Sequence, residues 1–342
     1  MRKCLISLFL LLAVVCFVGC EAEFDPNDDY TEQMVVYCIL DKNTDTTFVR
    51  IERCFLGSGN ALVYAKNKDS IYYNPEDLDV KLYAYTLNDT LNAKKTYDFA
   101  YTTRAKQEGN FFGGQVPIYY AVTKNQLQEY PFYKLIIKNN KTGLEVSATT
   151  HMVTGFDISS TDLRFQGSSS NASDNLSAFK DIHWTGYSNT SSQEANRAKS
   201  FQLNFKFYYG KNGTTEMDSI DMFMMSRLVT GATQSDNYTR ITINDIIQRL
   251  KEQFEAKSQT TIKIPNLQNF VICVYGCNKD MADYISVNNA SDNSLNYRPM
   301  YSNIRNGYGL FASKNTERKV INQNQISNNF WVELQRIINI VQ

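Results

Sequence analysis

Met34-Val35-Val36-Tyr37-Cys38-Ile39-Leu40 is a continuous apolar run rich in β-branched and aromatic residues, the pattern of a buried strand. The turn-rich Asp41-Lys42-Asn43-Thr44-Asp45 follows it. Thr47-Phe48-Val49-Arg50-Ile51-Glu52-Arg53-Cys54 then alternates apolar with polar, as a strand wet on one face does. Asp79 to Tyr85, Phe132 to Ile137 and Leu144 to Thr150 alternate in the same way. Asn88-Asp89, Gly113-Gly114 and Asn139-Asn140-Lys141-Thr142-Gly143 punctuate them as turns. Many short strands separated by turn signals predict a β-sandwich over residues 31–151 rather than alternating β–α units.

Thr149 to Gly155 reads as the crossing into a second domain, residues 152–342. Gln166 to Asn175 is a polar loop, and strands resume at Lys180 to Trp184, Phe201 to Tyr209 and Asn269 to Tyr275. Ile243 to Lys257 is the clearest helix: Thr242 caps it, Asp245 sits in its first turn, and Ile246, Ile247, Leu250 and Phe254 form one apolar stripe. A short helix is expected over Asp280 to Val287. Ser327 is placed to cap a last helix with Trp331, Leu334, Ile338 and Val341 on one face. The expected fold is therefore mainly β, a sandwich followed by a larger β-rich domain with two or three helices.

The start of the chain predicts location. Met1-Arg2-Lys3 is basic, Leu5 to Val18 is almost unbroken apolar, and Gly19-Cys20 closes the segment. An apolar stretch of about 14 residues is a secretory signal rather than a spanning helix. A cysteine directly after the cut marks a bacterial lipoprotein, so residues 1–19 are expected to be removed and Cys20 acylated. Glu21, Glu23, Asp25, Asp28, Asp29 and Glu32 precede any Lys or Arg of the remaining chain. Residues 20–32 therefore read as a solvated acidic tether. The expected location is the cell outer membrane, held through the lipid, with either the periplasmic or the outer face open.

Charge is balanced, with 35 Lys and Arg against 35 Asp and Glu, which offers no broad basic face for nucleic acid. The mature chain would keep Cys38, Cys54, Cys273 and Cys277 beside the acylated Cys20. A disulfide between Cys38 and Cys54 is open if their strands form a hairpin, whereas Cys273 and Cys277 read as small buried side chains.

His151 and His183 are the only histidines, which removes most zinc sites and most Ser–His or Cys–His nucleophilic arrangements. Asp218 with Asp221, and Glu76 with Asp77 and Asp79, are the acids available for glycoside hydrolysis, which needs two facing carboxylates. No dinucleotide, P-loop or nucleophile-elbow motif occurs. No cofactor, metal or catalytic residue is assigned. The 22 Tyr and 20 Phe fit strands, and fit sugar or protein recognition as well. Thr46, Ser70, Thr90 and Ser219 each follow an Asp in triplets similar to the O-glycosylation acceptor of exported Bacteroidota proteins.

The signal, the first β domain and Asp283-Tyr284-Ile285 through Ser302-Asn303-Ile304-Arg305-Asn306-Gly307-Tyr308-Gly309-Leu310-Phe311-Ala312 together resemble one family. It is a domain-of-unknown-function family of Bacteroidota outer-membrane lipoproteins encoded beside TonB-dependent receptors. The resemblance implies an immunoglobulin-like first domain and no known catalytic residues. It also implies a non-enzymatic binding or assembly partner of such a receptor in nutrient uptake, with a glycan or peptide as ligand. A surface glycan-acting hydrolase and a structural surface protein are the alternatives. Tyr301 and Tyr308 are the first candidates for a recognition surface. Gly307 and Gly309 are expected to form a tight turn into the strand ending at Phe311.

Overall fold

The computed structural model describes residues 31–55, 60–124, 126–159, 179–187, 194–228, 237–264, 270–291, 300–322, 326 and 328–341. The expected leader with Cys20, the polar stretch 166–175 and Ser327 lie outside them. The protein is mainly β. The first region comprises β1 (Met34–Asp41), β2 (Thr46–Arg53), two short helices α1 (Ala61–Ala65) and α2 (Lys68–Ile71), and then β3 (Leu78–Tyr85), β4 (Lys95–Asp98) and β5 (Ala100–Lys106). It closes with β6 (Gly114–Val122), β7 (Phe132–Asn139) and β8 (Glu145–His151).

Its strands fall into two sheets, one running β1-β2-β6-β5 and the other β4-β3-β7-β8. Strands β1, β2, β5 and β6 thus share one sheet and β3, β4, β7 and β8 the other. Alternate residues of both sheets meet in one core: Met34, Val36, Cys38 and Leu40 from β1, Val80 and Leu82 from β3, Tyr133 and Leu135 from β7. The β7–β8 turn is fixed as its sequence implies, with the Asn139 side-chain oxygen accepting from the Lys141 and Thr142 N–H groups and Gly143 at φ +80°.

The second region contains β9 (Phe179–Trp184), β10 (Ser200–Lys211), β11 (Met217–Leu228), β12 (Asn237–Thr242), α3 (Ile243–Ala256), β13 (Thr261–Lys263) and β14 (Phe270–Cys277). After it come α4 (Lys279–Ser291), β15 (Gly307–Ile321), α5 (Asn328–Ile337) and β16 (Asn339–Val341). Phe201, Leu203, Phe205, Phe207 and Tyr209 of β10 face a second core, closed by Ile246, Leu250 and Phe254 of α3 and by Phe330 and Leu334 of α5. Val341, expected on the last helix, lies in β16 instead, where Lys263 pairs with it.

The core changes at Met152 and Val153, which belong to the first and second clusters respectively. The two regions are nevertheless joined by one ten-stranded sheet ordered β16-β13-β10-β14-β15-β1-β2-β6-β5, with β11 beside β10. The first half of β15 runs parallel to β1, Met34 opposite Gly307 through Asp41 opposite Lys314. Its second half pairs antiparallel with β14. Ile304 and Phe311 thereby enter the first core, so a sandwich confined to 31–151 lacks one of its own strands.

Gly307 and Gly309 correct the expected tight turn. They sit inside β15, where a Cβ on Gly307 would lie 2.8 Å from the Met34 carbonyl oxygen and one on Gly309 would overlap that of Val36. The glycines permit the close approach of two parallel strands. Cys38 and Cys54 lie on a hairpin as expected, but their register forbids a bridge. Cys38 faces Val49, while the Cys54 N–H donates to the Gln33 carbonyl. Their levels differ by five residues, about 16 Å along a strand, against a limit of roughly 7 Å. Cys273 and Cys277 are both buried on β14, four residues and so two side-chain repeats apart.

Candidate functional site

The ten-stranded sheet has one face against the two cores and one facing outward. On the β1-β2-β6 part of the outward face, strict alternation brings out Tyr37 and Ile39, Phe48 and Arg50, and Tyr120 and Val122. The Arg50 guanidinium stands 4.7 Å from the Tyr37 ring centroid, and that of Arg104 of β5 stands 4.1 Å from the Phe48 ring. Both are cation–π stacks. Ile39, Val122 and Tyr308 expose 37 %, 55 % and 44 % of their surface, so the face is aromatic, apolar and arginine-rich together.

Two borders frame it. On one side α4 packs over β15 and sets the Tyr284 ring edge-on to Tyr37 at 6.5 Å. Burial and the neighbouring Tyr284 raise the Tyr37 hydroxyl above its ordinary pKa. At the other, α2 and Tyr72 lie over Val116. The Tyr72 hydroxyl donates to Glu52 at 3.2 Å, and the Lys106 ammonium lies 3.8 Å from the same carboxylate. Burial and the Glu52 charge push the Tyr72 hydroxyl up to about 12.

Tyr308 shares this face, opposite Val35 in the β15–β1 register. Tyr301, the other candidate, lies at the contact between β15 and α4. It is half-buried, and its hydroxyl donates to Asp280 at 3.1 Å, so burial and that carboxylate raise its pKa. Asp280 also accepts from Thr150 and from the Asn278 amide, and the Ser313 hydroxyl donates to the His151 carbonyl. This network ties β8, α4 and β15 together. The Ser302-Asn303-Ile304 motif has a similar role, since Asn303 bonds both the N–H and the carbonyl of Phe311.

The acids stand apart. Asp218 faces Tyr209 and Asp221 faces Lys206 across a regular stretch of the β10–β11 ladder, which sends them to opposite faces of the sheet. Asp218 accepts from the Tyr209 hydroxyl at 2.8 Å and pairs with Lys257 at 2.9 Å. The Lys257 hydrogen bond holds its pKa down to about 2. Asp221 accepts from Asn204 at 2.7 Å. Asp79 pairs with Lys81 at 2.7 Å, and Glu76 accepts from Tyr101 at 3.4 Å.

The His151 ring lies tilted against Phe132 at 5.1 Å, and burial lowers its pKa. His183 stacks on Tyr238 at 5.4 Å. Among the described residues no group of three or more His, Cys, Asp or Glu is placed to hold a metal ion, and no helix is long and apolar enough to cross a membrane. Of the four glycosylation candidates, Thr90 is exposed between β3 and β4, whereas Thr46, Ser70 and Ser219 are half-buried.

The arginine–aromatic stacks escaped the sequence reading. Strand alternation around Arg50 could have found one of them, but Phe48 and Arg104 are joined only by the non-local β2-β6-β5 pairing. The chain matches no protein-family model and no curated protein.

Proposed function

We propose that this protein is an outer-membrane lipoprotein, acylated at Cys20, that works by binding and not by chemistry. The partner is a TonB-dependent receptor in nutrient uptake, engaged through the outward face of β1, β2 and β6. The observation that carries this reading is the stacking of Arg50 on Tyr37 and Arg104 on Phe48 beside exposed Ile39 and Val122. Aromatic and arginine side chains on a preformed face are what interface centres use, and stacking fixes them before the partner arrives. The placement of Asp218 and Asp221 on opposite faces supports binding over glycoside hydrolysis, which needs two carboxylates across one gap. The leader and the resemblance to receptor-linked lipoproteins support the location and the partner.

Affinity capture from native membranes tests the reading. The wild type is expected to retain a TonB-dependent receptor, and the Tyr37→Ala/Arg50→Ala double variant to lose most of it while unfolding at a similar denaturant concentration. Equal capture by both proteins, or cleavage of a glycan by the purified chain, overturns it. Globomycin is expected to make the precursor accumulate, and Cys20→Ala to release the protein from membranes.

A further inference from the structure

At the end of the first region where β1 begins, large apolar side chains face solvent. Leu62 and Val63 of α1 are 62 % and 67 % exposed, and Phe111, between β5 and β6, is 53 % exposed. An ordinary surface helix turns its apolar side inward. α1 does the reverse: its buried residue is Ala65, and its larger aliphatic side chains point out. Single exposed hydrophobes are normal, whereas a contiguous group marks a contact.

The group is held in place. Asn60 caps α1, its side-chain oxygen accepting the Leu62 N–H at 2.9 Å. The Phe112 N–H donates to the Ala65 carbonyl at 2.7 Å, and the Lys66 ammonium donates to the Gly109 carbonyl. These bonds join α1 to the Phe111 segment. Beneath them Phe55 packs against Tyr64 at 6.1 Å, and Phe55 and Phe112 rest on Ile71, Tyr72 and Val116. The same small cluster underlies the Tyr72 border of the outward sheet face, so the two surfaces adjoin.

Position selects the partner. The Cys54 N–H donates to the Gln33 carbonyl at 3.0 Å, one residue before Phe55, so the chain enters the fold beside this group. Cys20 lies thirteen positions before Gln33, at most about 45 Å along the chain. A lipid on Cys20 therefore brings a bilayer to this end first. Three side chains fall well short of the roughly 800 Å² per partner of a stable dimer. Lys66 and Lys68 are matched by Asp69 and Glu108, all four exposed, so apolar burial and not net charge drives the contact. The long lysine stems still let their ammonium groups reach headgroups as the tip sinks. We infer that Leu62, Val63 and Phe111 insert into the apolar boundary of the bilayer to which the protein is anchored. The inference rests on the lipid-anchor reading for its direction, and adds a contact made by the folded protein itself that sets how it stands on the membrane.

The mature chain with an N-terminal hexahistidine in place of Cys20, held on phosphatidylcholine vesicles by a nickel-chelating lipid, tests this without acylation. An environment-sensitive nitrobenzoxadiazole label is placed at Leu62→Cys or, as control, at Leu91→Cys, with the unsubstituted chain as blank for the native cysteines. Leu91 is 90 % exposed and follows the far end of β3, whose near end, Leu78, faces Asn139 and through it Glu32. On vesicles the label at position 62 is expected to shift to the blue and to be quenched by doxyl-labelled lipid, and the label at position 91 to do neither. With the label at Phe111→Cys instead, adding Val63→Asp is expected to abolish the response and adding Tyr37→Ala to leave it unchanged. Val63 is exposed, so the unfolding midpoint of that variant, measured alongside, is expected to stay put. The inference fails if position 62 responds no more than position 91, or if Val63→Asp responds like its parent. It fails too if the blue shift develops without vesicles as protein concentration rises, which assigns the group to a second copy of the chain. Because nickel replaces the acyl chain, failure here leaves acylation to the globomycin test, and failure there leaves this result standing.

Discussion

At Gly309 the backbone holds φ +117°, and an added Cβ would overlap the Val36 carbonyl. Gly309→Ala is therefore expected to destabilise the protein by about 3 kcal/mol or more, since strain and a backbone clash coincide. Gly143→Ala provides the contrast: φ is +80° but the space is open, so about 1 kcal/mol is expected. Urea unfolding of the two variants measures the difference. The glycine pair was visible in the sequence, but which backbone it must approach was not, because β1 lies far away along the chain. Asp218 gives a pH-dependent case. Its folded pKa, about 2, lies below the ordinary carboxylate value, so its contribution is full above about pH 4 and is lost as pH falls toward 2. The carboxylate is partly exposed, so solvent screening limits the contribution to about 1 kcal/mol. Asp218→Asn is expected to flatten the stability profile in that window, as followed by denaturant midpoints. His151 has the same sign by a different cause. Burial keeps its imidazole neutral, so its contribution is complete above its unfolded pKa near 6.5 and declines as pH falls through the lower folded value. An NMR titration of the ring that gave a pKa above 6.5 would contradict the burial argument.

Elements whose cause is local were the legible ones. Thr242 accepts the Asp245 N–H at 3.1 Å while the Asp245 carboxylate accepts the Thr242 N–H at 2.9 Å, closing a capping box at α3. Thr242→Ala is expected to cost about 1 kcal/mol, visible as a lowered unfolding midpoint. The stripe of α3 was also readable, because Ile246, Leu250 and Phe254 all reach the second core. β5 was not readable: six of its seven residues are exposed, so no burial pattern marks it as an edge strand. β16 escaped because Ile338 continues the helical stripe, and only the parallel register with β13 ends it. For the candidate surface, alternation along β2 was legible and its partners across the sheet were not, since strand order is not written in any one strand.

At the scale of the whole molecule, β15 is the element on which both regions depend. Its fifteen residues serve β1 in the first half and β14 in the second. The change of core at Met152 and Val153 was readable from the end of strand alternation and the polar stretch that follows. The sharing of β15 was not, because nothing in a parallel strand records that its neighbour is drawn from the far end of the chain. Residues 31–151 alone would leave β1 with an unpaired edge and remove Ile304 and Phe311 from the core. Phe311 is fully buried, and deleting a side chain of that size costs about 3–5 kcal/mol, a large fraction of a domain's total stability. The open β1 edge also exposes a template for strand pairing between molecules. The fragment 31–151 is therefore expected to self-associate and to unfold at lower denaturant than the first core does in the full chain. Adding a peptide of residues 300–321 in trans should raise that midpoint, with Phe311→Ala in the peptide abolishing the gain. The added β14-facing half of β15 should contribute little, so a peptide of residues 300–314 should do nearly as well. A fragment that is monomeric, cooperative and indifferent to either peptide would show that the first sandwich closes without β15, and that the shared strand binds the two regions together without stabilising either.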